Sequence, residues 1–374
     1  MRLMKRRLVE RALGPVIIDL MGDTLTAEER ETLLHPYVGG VILFSRNFEC
    51  VAQIKSLIKQ IHELRTPPLL VSVDHEGGRV QRFKEGFTHI PPMRKLGVAY
   101  DQSPETALKD AETLGWLLAA ELRTCGIDYS YTPVLDLDYG SSTVIGDRAF
   151  HSDPAIVAKL ATAFITGLSD EGMSNVGKHF PGHGYVVADS HLELPVDNRT
   201  FEEIADADLR PFVSLVRAGL AGIMPAHVVY PKVDSFAAGF SPYWLQEVLR
   251  KEMGFSGVII SDDLSMAGAI SIGPPPMRAE AAFEAGCDAI LVCNNRQAAI
   301  EVLDKTPKKI IRKPKQSLEK LMPAMPFIET MEDLKQTEEF NIAQKVAEKI
   351  HALELPEEAG KIKVAEYKSV IELM

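Results

Sequence analysis

Cysteine is scarce in this chain: four in 374 residues, at positions 50, 125, 287 and 293. They are too scattered for a zinc signature and too few for a disulfide scaffold, so they read as buried or free thiols in a reducing compartment. Long apolar runs are missing as well. No window approaches the ~20 apolar residues of a membrane span. The N-terminal MRLMKRRLVERALGPVIIDL has basic residues but only VIID as an apolar stretch, too short for a secretory signal. The expectation is a cytoplasmic protein with no membrane partner. Positive charge is not in excess: 41 Lys and Arg stand against 52 Asp and Glu, a net −11. That removes the general electrostatic case for nucleic acid. Nor does a GxGxxG follow the first strand-like run, which leads into DLMGDTLT. Its absence weighs against a doubly wound dinucleotide fold.

What is present is a repeating alternation. Short apolar runs occur at PVIIDL (15–20), VGGVILF (38–44), LLVSVD (69–74), YSYTPVLD (129–136), NVGKHF (175–180), AGIMPAH (221–227), GVIISDD (257–263) and AILVC (289–293). They lack polar alternation, as strands buried on both faces should. Between them lie amphipathic segments. In VAQIKSLIKQIHELR, apolar residues fall at 51, 54, 57, 58 and 61, and ETALKDAETLGWLLAAELRTCG ends on Gly126, a helix C-cap. Eight strands alternating with helices predict an α/β chain folded as a single (β/α)8 barrel. After Cys293 the pattern loosens, and NIAQKVAEKIHAL makes a closing helix. Residues 1–350 are therefore expected to be one domain and 351–374 a tail.

A barrel carries its active site at the C-terminal ends of its strands, and the polar residues of this chain fall there. Run three ends in Asp74, followed by HEGGRVQR. Run four leads to Asp147 and Arg148, run five ends in Lys178-His179, run six in His227 and run seven in Asp262-Asp263. Taken singly they have plain readings: Asp263 as a helix cap, His227 as a structural histidine, Arg79 and Arg82 as solvated helix charges. Together they are harder to dismiss, because burying Lys178, His179 and Arg148 costs several kcal/mol unless partners or a polar ligand satisfy them.

The stretch KHFPGHGYVVADSH (178–191) holds three histidines and two glycines. In an extended loop, residues two apart project to the same side, so Asp189 can hydrogen-bond His191 and support its imidazolium. Three chemistries compete. A metal hydrolase would use His179, His183, His191 and an aspartate, but Pro181 and Gly182 interrupt the helical presentation such a site needs. A Schiff-base aldolase would use Lys178. Glycoside hydrolysis wants a carboxylate opposite a proton donor; Asp262 can be the first and His191 the second.

VDHEGGRVQRF, IGDRAF, KHFPGHGYVVADSHLELP and GVIISDDLSM, in this order and spacing, resemble the bacterial β-N-acetylhexosaminidases of glycoside hydrolase family 3 in their single-domain form. The resemblance implies Asp262 as nucleophile, His191 as general acid/base and Asp189 as its partner. It implies that Asp74, Arg82, Arg148, Lys178 and His179 bind the N-acetylglucosamine unit. It further implies a retaining mechanism with no metal or organic cofactor; a monomer is expected over an oligomer. The implied substrate is N-acetylglucosamine β-1,4-linked to anhydro-N-acetylmuramic acid, with or without peptide, in cytoplasmic peptidoglycan recycling. A broader β-glycosidase, a phosphorylase on the same scaffold, and an inactive muropeptide-binding barrel are the alternatives. The prolines of SIGPPPMRAE (271–280) depart from the family pattern and bear on leaving-group contacts.

Overall fold

Each apolar run becomes a barrel strand in the computed structural model, which describes residues 12–187, 194–311, 316–325 and 330–355 and the backbone of 9 and 10. The strands are β1 (Val16–Asp19), β2 (Val38–Leu43), β3 (Leu70–Val73), β4 (Tyr129–Ser130), β5 (Ser174–Phe180), β6 (Gly222–Pro225), β7 (Val258–Asp263) and β8 (Ala289–Val292). They pair in parallel and in chain order, and β8 closes the ring onto β1. The fold is the (β/α)8 barrel that the alternation predicts.

Successive residues of a strand serve two cores. Ile17, Ile42, Leu70, Val176, Ile260 and Leu291 fill the barrel interior. Their neighbours Val16, Ile18, Val41, Val71, Ile259 and Ile290 pack outward against the helices. Both faces are buried, so no polar alternation survives in the sequence. The helices that matter below are α1 (Val51–His62), α2 (Pro104–Cys125), α3 (Pro154–Asp170), α4 (Leu209–Arg217), α5 (Pro275–Ala285), α6 (Arg296–Lys305) and α7 (Glu338–His351). Helix α2 stops at Gly126, whose φ of 95° is a left-handed C-cap that a side chain would resist.

Two expectations change. The fourth run is a strand only over Tyr129–Ser130, because Pro133 has no N–H for the ladder. The chain still follows β5, with the Val176 and Lys178 N–H groups donating to Thr132 and Pro133 carbonyls and Leu135 N–H donating to the Lys178 carbonyl. The pattern does not loosen directly after Cys293: α6 follows, capped by the Asn295 side chain and burying Ala298, Ala299, Val302 and Leu303. That i, i+1, i+4, i+5 spacing is a helical stripe. The prolines at 274–276 form the entry to α5, where the first turn of a helix needs no N–H donors. Helix α7 closes against α2, with Lys349 paired to Asp110 at 2.6 Å.

Candidate active site

Strand β5 delivers Lys178 into the mouth of the barrel, where its side chain is only 3% exposed. Its ammonium donates to Asp74 Oδ1 at 2.7 Å and lies 2.6 Å from Glu76 Oε1. Arg148 grips the same Glu76 with two parallel bonds of 2.8 Å, from Nε and Nη2. Burial alone would raise the Glu76 pKa, but the Arg148 guanidinium and the Lys178 ammonium outweigh it and hold the carboxyl well below its ordinary range. For Lys178 burial disfavours the charge, yet Asp74 and Glu76 prevail and its pKa is raised. A Schiff-base nucleophile must lose its proton. Lys178 is built to keep it, so the aldolase chemistry does not fit.

Arg82 and Arg79 do not sit on a helix, so the plain reading of them as solvated helix charges does not hold. They belong to a hairpin formed by His75–Gly77 and Val80–Gln81. From it Arg82 reaches to 3.6 Å from Asp74, and Arg79 to 3.4 Å from Asp147.

On the far side, β7 ends in two aspartates with separate duties. Asp263 is buried and accepts the Ser265 and Cys293 N–H groups at 2.9 and 3.1 Å, so it fixes the turn after the strand. His227 is fully buried, stacks on Phe240 and lies 3.2 Å from the Asp263 carbonyl, the structural role expected of it. Asp262 is half-buried and lines the cavity at the barrel mouth, with Oδ1 accepting the Asp263 N–H at 2.8 Å.

His179 follows Lys178 and is oriented from below. Its Nδ1 lies 2.7 Å from Asp136 Oδ2, and Asp136 is wholly buried. His183 donates its backbone N–H to the other Asp136 oxygen at 2.7 Å. Burial and the neighbouring His179 push the His183 imidazole down to about 4, so it is neutral at physiological pH.

These groups converge on one cavity of about 360 Å³, the right size for a small ligand. Asp74, Arg82, Arg148, Lys178, His179 and Asp262 all line it. Asp189 and His191 lie outside the described residues. The chain on either side of them is well anchored. Gly182, with φ of 146°, lies so close to Asp208 that a Cβ would come within 2.6 Å of that side chain. Tyr230 donates to the Gly182 carbonyl at 2.7 Å. On the C-terminal side, Arg199 bonds Asp197, Asp208 and Tyr139 and stacks on Tyr185 at 4.1 Å. Among the described residues no group of three His, Cys, Asp or Glu side chains is arranged to hold a metal ion.

Two residues of the site were not singled out in the sequence. Glu76 stands two positions after Asp74, the spacing that places both carboxylates on one side of an extended chain. Asp136 ends run four, as Asp74 ends run three.

Barrel, cavity and paired carboxylates define an enzyme that works on a small polar ligand. Residues 11–322 match the family described as Glycosyl hydrolase family 3 N terminal domain. A Beta-hexosaminidase of Nitrosospira multiformis is 59% identical over 288 residues, 77% of this chain and 82% of that one. A Beta-hexosaminidase of Methylobacillus flagellatus is 58% identical over 291 residues, 78% and 83% of the two chains. The crystal structure of NagZ from Neisseria gonorrhoeae in complex with N-trifluoroacetyl-D-glucosamine superposes with a TM-score of 0.85 at 45% identity, covering 92% of this chain and all of that one. The chain belongs to glycoside hydrolase family 3, and it is a glycoside hydrolase of the beta-hexosaminidase class.

Proposed function

We propose that this hydrolase is a retaining exo-β-N-acetylglucosaminidase. It removes terminal β-1,4-linked N-acetylglucosamine from anhydro-N-acetylmuramic acid saccharides, with or without stem peptide, as a cytoplasmic monomer in peptidoglycan recycling. The carrying observation is that Asp262 opens into the same cavity as the Asp74, Glu76, Arg148 and Lys178 cluster. The cluster offers donors and acceptors suited to sugar hydroxyls, and the Asp262 carboxylate lines the same cavity. The Neisseria relative, solved with an N-acylated glucosamine, supports the sugar class.

In this reading the Asp262 carboxylate attacks the anomeric carbon while His191 gives its proton to the departing glycosidic oxygen. The covalent glycosyl-enzyme is then opened by water, whose proton returns to His191, and the sugar leaves with its configuration retained. Asp189 holds the imidazole and supports its charged form. Lys178, Arg148, Arg82, Asp74 and His179 hold the sugar in place; such positioning lowers the barrier by removing orientational freedom before reaction.

The test is incubation of purified protein, with chelator present, with the N-acetylglucosaminyl anhydromuramic acid disaccharide. NMR should show β-N-acetylglucosamine as the first product anomer. A first-formed α-anomer, loss of activity to the chelator, or sugar 1-phosphate formed on adding phosphate would each overturn a part of this reading.

A further inference from the structure

In the proposed reaction His179 serves only as a ligand-binding side chain, but its surroundings specify more. Asp136 is wholly buried and spends both oxygens on the segment that carries His179. Oδ2 faces the His179 ring Nδ1 at 2.7 Å. Oδ1 receives the His183 N–H at 2.7 Å, and both oxygens share the His179 backbone N–H at 3.2 and 3.3 Å. An ionised carboxylate can only accept. A neutral imidazole in contact with it must therefore carry its hydrogen on Nδ1. Nε2 then holds a lone pair, and among the described residues it has no hydrogen-bond partner while the ring lines the cavity.

We propose that Asp136 is a positioning residue that fixes His179 as the Nδ1–H tautomer, so that Nε2 accepts a hydrogen bond from a substrate hydroxyl. Side by side, Lys178 then offers the sugar a donor and His179 an acceptor. A hydroxyl can satisfy both at once, by donating to the imidazole and accepting from the ammonium. A ligand position bearing only an acceptor, such as an ether or a fluorine, leaves Nε2 unpaired in a desolvated site, and discrimination follows from that cost. The inference rests on the sugar-binding reading of the cavity, and its test separates the two.

The first arm needs no variant and no turnover. Long-range 1H–15N correlation on the wild-type protein near neutral pH should show His179 with Nδ1 protonated and Nε2 bare. A ring protonated on Nε2, or on both nitrogens, overturns the proposal. The second arm measures kcat/KM on 4-nitrophenyl N-acetyl-β-D-glucosaminide and its 3-, 4- and 6-deoxy analogues for Asp136→Asn, His179→Ala and the double variant. Asp136→Asn should lose about 10- to 100-fold on the parent sugar, the range typical of partners that orient a histidine ligand, and less on one of the deoxy sugars. The double variant should be no worse than His179→Ala, because Asp136 acts through the imidazole. Additive losses, or equal losses on every sugar, would show that Asp136 merely braces the turn at His183, and would sink the proposal. A wild-type protein that turns over none of these sugars would instead defeat the glycosidase reading, leaving the tautomer result standing.

Discussion

Glu76 and Lys178 face each other at 2.6 Å, the carboxylate 1% and the lysine side chain 3% exposed. Neither charge is tenable alone at that depth. Together with Arg148 and Asp74 they balance, and the balance sets the polar floor on which a sugar would rest.

Glu76→Ala should therefore be among the most damaging substitutions in the barrel. It would leave buried Arg148 without its carboxylate and Lys178 with Asp74 alone, at a cost of about 3–5 kcal/mol. Urea denaturation should show a lower midpoint, and kcat/KM should fall with it. An unchanged midpoint would mean that water reaches the pair after all.

Asp262→Ala should behave differently. Asp262 is half-buried at the cavity wall, so its removal should abolish turnover with the thermal midpoint shifted by no more than a degree or two. Near-normal rates in a folded variant would remove it from the nucleophile role.

His191→Ala is expected to slow glycosides with poor leaving groups far more than 4-nitrophenyl glycosides, since only the former need a proton as the bond breaks. Asp189→Asn should give a smaller loss of the same kind. Rates that fall equally for both leaving groups would argue against proton donation from this pair.

Glu121 offers a test of pH linkage away from the cavity. It is buried on α2 and accepts the Thr88 N–H and hydroxyl, each at 2.8 Å. Burial, only partly offset by these bonds and by Lys335, raises its pKa from 4.5 to about 7. A carboxyl whose folded pKa is raised contributes stability that is fully present below its unfolded value and lost as pH rises through the folded one. The wild type should thus lose up to about 3 kcal/mol relative to Glu121→Gln between pH 4.5 and 8. Parallel stability profiles for the two proteins would show that Glu121 titrates normally.

Much of the site was legible because a barrel strand reports its own ends. Asp74, Lys178, His179 and Asp262 follow apolar runs directly, and that position alone brought them to one mouth. Helix α6 was equally readable from Ala298, Ala299, Val302 and Leu303, but the basic, proline-bearing stretch after it masked the pattern.

What the sequence determined by itself was periodicity: which residues face the two cores, where each strand stops, and hence which side chains share a rim. It did not determine partnership. Glu76 meets Arg148 across 72 positions, and Asp136 meets His179 across 43. Arg82 and Arg79 reach Asp74 and Asp147 from a hairpin, a pairing that their position after run three does not announce. Local spacing governs backbone geometry over a few residues, whereas the choice of ion pair depends on distances fixed when the barrel closes, and on burial that makes an unpaired charge too costly to keep.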